Sequence, residues 1–167
     1  MRAVIAIVLA ACAPITKYNI TVTAEPHLAY RLAEIDRAIE ALDEAVASSG
    51  LLPPGDAEKI IASKFLLLTW RRRPFVCRLP ASTSELVMGC TDEATEIEVG
   101  SSKCVADSAL THELTHVLLA HVTARTPGIY AGRAGFAEDP DPDHQQAEWW
   151  QMSALADARL RETCPSK

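Results

Sequence analysis

A pair of histidines four residues apart constrains this chain more than any other feature. In His112-Glu113-Leu114-Thr115-His116 the two imidazoles share a direction only on a helix, where residues i and i+4 stand about one turn apart on one face. The flanks agree. Asp107 or Ser108 supplies a cap, and Leu110, Leu114, Val117 and Leu118 form an apolar stripe at three- and four-residue spacing. Pro127-Gly128 follows as a stop signal. The spacing predicts a helix over about 109–122 that buries one side and presents an imidazole pair.

Around that helix the pattern is mixed. Residues 15–23 suit a strand or an extended linker. Leu32, Ile35, Ile39, Leu42 and Val46 mark an amphipathic helix over about 29–47, closed by Ser48-Ser49-Gly50. Leu51 to Gly55 is a loop with two prolines. The apolar run within 56–70 fits a helix or a buried strand equally. Phe75 to Leu79 and Glu85 to Met88, split by a polar turn at 80–84, read as a hairpin, and Thr95 to Val99 alternates like a strand. After a Gly/Pro/acid-rich loop at 128–143, Asp143 and Gln146 form a capping box that starts a last helix over about 144–161. The fold class expected is α+β, a short antiparallel or mixed sheet packed on the histidine helix and a C-terminal helix.

The chain has 167 residues, 49% hydrophobic and 23% charged, which suits one domain with its own core. Its formal net charge of -6 argues against a nucleic-acid footprint. Arg71-Arg72-Arg73 is the one dense basic run, expected as a solvated turn. No stretch reaches the roughly 18 to 20 apolar residues of a membrane-spanning helix. The start differs. Arg2, the apolar run Val4 to Leu9 and Leu9-Ala10-Ala11-Cys12 resemble a bacterial lipoprotein signal. That resemblance implies a signal peptide over 1–11, a mature domain over 12–167, a lipid on Cys12 that holds the chain at a membrane, and export to the periplasmic or cell-surface side. A buried strand over 4–11 is the alternative.

Removing Cys12 from five cysteines leaves Cys77, Cys90, Cys104 and Cys164, which can pair in three ways. Export would let two disulfides persist, and no Cys-x-x-Cys favours a cysteine zinc site. The leaning is Cys90 with Cys104 and Cys77 with Cys164, which would join the strand region to the flanks of both late helices.

Two neutral imidazoles at the His112/His116 spacing hold one Zn2+ from the same side, and the intervening Glu113 reaches its open side as a general base. A catalytic zinc needs a third protein ligand. His121 is five residues past His116 and points elsewhere; near a helix end it suits the dipole. The longer HExxHxxGxxH pattern fails at Leu119 and Val122. The last helix, where His144, Glu148 and Gln151 share a face, is the better source.

His112 to His121, with Ala109-Leu110-Thr111 before it, resembles the active-site helix of minimal zincins, the gluzincin-type zinc metallopeptidases. In that family a later helix supplies a glutamate ligand within Glu-x-x-Ala-Asp or a variant. Aligned on Ala147, the ligand position here holds His144 and the acidic outer position holds Glu148. Glu148 as the ligand, Asp141 or Asp143 instead, or no third ligand at all, stays open. The resemblance covers about a third of the chain, with HExxH its specific part. It implies a peptidase acting on peptide or protein substrates, with the strand at 95–99 as the sheet edge that pairs an extended substrate. Of Trp149 and Trp150, pointing about 100° apart, at least one is core. The rival reading is a non-catalytic surface lipoprotein that uses a metallopeptidase-like domain for binding.

Overall fold

A computed structural model describes residues 13–77, 86–91, 95–125 and 146–164. Its fold is α+β. Among the described residues, six strands, β1 (Thr21–Ala24), β2 (Leu67–Arg71), β3 (Phe75–Val76), β4 (Leu86–Val87), β5 (Gly89–Thr91) and β6 (Glu96–Gly100), accompany four helices, α1 (Leu32–Ser48), α2 (Asp56–Ser63), α3 (Leu110–Arg125) and α4 (Ala147–Glu162). Among the described residues no helix is long and apolar enough to cross a membrane. The signal-like residues 1–11, Cys12, the loop at 128–143 and His144 lie outside the described residues.

The main sheet has the order β1-β2-β6-β5. β1 and β6 flank β2 in parallel, whereas β5 runs antiparallel to β6. Ile20, Val22, Leu66, Leu68, Trp70, Ile97 and Val99 are buried from the sheet region and meet Ile35, Ile39, Leu42, Val46, Leu110, Leu114 and Leu118 from the helices in one core. Burying each such side chain is worth about 1.5–3 kcal/mol. The hairpin expected over 75–88 is present as the antiparallel pair β3–β4.

The ambiguous run at 56–70 divides. α2 takes its polar first half, and β2 takes the apolar second half, where two parallel partners satisfy its backbone. The start of α2 is fixed from outside: the buried Asp43 of α1 accepts hydrogen bonds from the backbone N–H of Gly55 at 2.8 Å and of Ala57 at 3.0 Å. These are donors that a helix start otherwise leaves without partners.

Several expectations are corrected. Arg71 is not in a solvated turn: it closes β2, is 6% exposed, and pairs with Glu25 at 3.1 Å and Glu98 at 3.3 Å. Arg72 and Arg73 alone are exposed. The strand at 95–99 is not the edge, since β6 lies between β2 and β5; the edge on that side is β5. α4 starts at Ala147, later than the start expected at 144, with Gln146 as its N-cap and without a side-chain capping bond from it; Asp143 lies outside the described residues. The two disulfides join Cys77 to Cys90 and Cys104 to Cys164, not the pairs expected. Cys77 directly follows β3 and its partner Cys90 lies in β5, while the 3-10 turn Val105–Asp107, next to Cys104, packs against α4, which Cys164 closely follows. Arg161 adds hydrogen bonds to Asp107 and to the carbonyl of Ala106 there.

Candidate metal centre

α3 is anchored by Leu110, Leu114, Val117 and Leu118, each fully buried. That stripe fixes the rotation of the helix, so His112 and His116 emerge together on the side facing α4. Nε2 of His112 and Nε2 of His116 are 3.3 Å apart. Two imidazole nitrogens bonded at 2.0–2.1 Å to one tetrahedral zinc stand about 3.3 Å apart. The pair therefore has the separation that one ion requires, through the same nitrogen of each ring. The same distance admits one hydrogen bond between two neutral tautomers, so the geometry holds with or without metal.

Trp150 closes this pair from α4. Its ring centroid lies 4.8 Å from that of His112 and 4.8 Å from that of His116, while Trp149 is 5% exposed in the core. Glu148 is exposed. Two residues before Trp150, it points about 200° around the helix from the side that meets the histidines. The structure thus brings His112 and His116 together and leaves Glu148 on the solvent side.

Glu113 is 4% exposed, and its side chain lies against the backbone of Gly89 in β5. A Cβ added to Gly89 would sit 2.6 Å from Oε1 of Glu113 and 3.0 Å from its Cγ. The carboxylate is thereby held between the histidine helix and the edge strand.

Immediately before His112, Thr111 donates a hydrogen bond to Asp157 at 2.7 Å and receives one from Ser153 at 3.3 Å. Burial pushes the Asp157 carboxyl up to about 6; the Thr111 hydrogen bond and Arg161 act the other way. The Thr111 bond ties α4 to the residue just before His112. Trp150, Ser153 and Asp157 recur at three- and four-residue spacing, a stripe legible in the sequence that reading it for ligands alone passes over. Gly89 carried no comparable signal.

No protein-family model matches the chain, and neither a curated protein nor a solved structure matches it.

Proposed function

We propose that the chain is a zinc-dependent metallopeptidase, and that the 3.3 Å convergence of two like nitrogens from His112 and His116 carries this reading. These two residues would hold the ion, with a third ligand from the chain before α4, where His144 is the preferred donor. In the sequence His144 stands two residues before Gln146, the N-cap of the helix that carries Trp150. Bound zinc would supply Lewis acidity toward a peptide carbonyl and acidify a water. Glu113 would take the proton of the attacking water and return it to the leaving amine. The β5 edge would orient an extended peptide by backbone hydrogen bonds. Trp150 would shield one side of the pair from water.

We also propose export with lipid on Cys12. In support, the two disulfides use Cys77, Cys90, Cys104 and Cys164 and leave Cys12 as the odd cysteine.

The test is anomalous scattering at the zinc edge from crystals of the zinc-loaded protein. The expected result is one ion within bonding distance of both Nε2 atoms. Zinc absent from the pair would overturn the peptidase reading and favour the binding-module alternative.

A further inference from the structure

A second group of metal-binding side chains lies in the sheet, apart from the histidine pair. Cys90 and Glu98 face each other across the antiparallel β5–β6 ladder. Sγ of Cys90 is 3.9 Å from Oε2 of Glu98. Cys77, just past β3, is joined to Cys90, and ligand atoms of all three residues lie within 4.8 Å of one another. Cys77 is 6% and Glu98 7% exposed, whereas Cys90 is half-buried.

We infer that the Cys77–Cys90 disulfide is the oxidised form of a metal clip, and that on reduction Cys77, Cys90 and Glu98 bind one thiophilic divalent cation such as zinc. Cysteine thiolate and glutamate carboxylate are both zinc donors, and three protein ligands leave the fourth position to water. Distances agree. With Zn–S near 2.3 Å and Zn–O near 2.0 Å, a sulfur and an oxygen on one tetrahedral ion stand about 3.5 Å apart, close to the 3.9 Å already present. Two sulfurs on such an ion stand about 3.8 Å apart. Reaching that takes side-chain rotation only, since the Cα atoms of Cys77 and Cys90 are 6.3 Å apart.

Charge agrees as well. Glu98 already pairs with the buried guanidinium of Arg71 at 3.3 Å. Two thiolates and the Glu98 carboxylate then balance a divalent cation and Arg71, while Glu25 on the outer side of Arg71 is partly exposed. The reduction consumes two electrons and two protons from a dithiol reductant, which becomes a disulfide. The cation then displaces both cysteine protons to water. Because Cys90 follows Gly89, the switch sits one residue from the backbone that packs against Glu113.

The experiment uses the full chain carrying His112→Ala and His116→Ala, so its outcome does not depend on the histidine site. Co2+ is titrated into protein reduced with a phosphine and into unreduced protein, and sulfur-to-cobalt charge-transfer absorption is followed. The expected result is one equivalent bound with that absorption in the reduced chain only. Cys77→Ser with Cys90→Ser removes it, and Glu98→Gln weakens binding by about tenfold or more. Absorption that survives in the double serine variant would place the metal on Cys104 and Cys164 and overturn the assignment. Affinity indifferent to Glu98→Gln would overturn it too. So would loss of the folded circular dichroism spectrum on reduction, because the site requires the β5–β6 pair.

Discussion

Gly89 and Glu113 are packed so closely that a methyl group on Gly89 would lie 2.6 Å from the Glu113 carboxylate oxygen and 2.6 Å from Cβ of Ala109. Real Cβ atoms do not approach that near, so a side chain at 89 must displace the carboxylate or the strand. Gly89→Ala is therefore expected to lower kcat for peptide hydrolysis about 100-fold, the scale of a misplacement near 1 Å. Zinc content should stay at one equivalent, because His112 and His116 project from another side of α3. Parallel measurement of kcat and bound zinc checks this; a wild-type kcat would show that the Gly89 contact does not position Glu113.

The third ligand is tested by two substitutions that differ in kind. His144→Ala should abolish tight zinc binding. Glu148→Ala should leave the affinity within about twofold, because Glu148 is exposed and about 200° around α4 from Trp150. Zinc titration against a competing chelator measures both. A large loss in the Glu148 variant alone would transfer the ligand role to it.

Much of this architecture was legible from local pattern, because α1 and α3 write their burial into three- and four-residue spacing. The run at 56–70 was not, since a short apolar segment looks alike in a helix and in a buried strand until its partners β1 and β6 are known. The edge strand was missed for a related reason: Gly89-Cys90-Thr91 is too short to display alternation. Disulfide partners depend on which ends meet in space, which cysteine spacing does not encode. At the candidate site, the convergence of His112 and His116 was readable from helical geometry, and at least one of Trp149 and Trp150 was expected in the core, where Trp149 lies. The contact of Trp150 with both rings depends on how α4 crosses α3, a tertiary matter.

Asp157 gives the fold a pH dependence of definite sign. Its carboxyl is raised by burial from 3.8 to about 6, so between those values the folded chain holds more protons than the unfolded one. Stability contributed by this group is present at low pH and falls as pH rises through that window. Asp157→Asn keeps an acceptor for the Thr111 hydroxyl and removes the buried charge. Because the carboxyl is partly solvated, the variant should gain only on the order of 1 kcal/mol above pH 6. The gain should vanish below about pH 4. Urea unfolding across that range measures it; an equal difference at every pH would rule the linkage out.

Lipidation at Cys12 is checked by fractionation. Cys12→Ser should move the protein from the membrane fraction to the soluble one and leave both disulfides formed. Unchanged fractionation, with Met1 retained on the mature chain, would contradict export by this route.

The central claim is that Glu113 moves the proton in a zinc-dependent hydrolysis. Glu113→Gln keeps a side chain of the same size against Gly89 and leaves both histidines, so bound zinc should remain at one equivalent. The decisive measurement is the rate at which zinc-loaded wild-type and Glu113→Gln proteins cleave an unstructured protein substrate. The expected result is a fall of about 100- to 10,000-fold, the usual contribution of a positioned general base. Equal rates in the two proteins, with zinc bound in both, would contradict it.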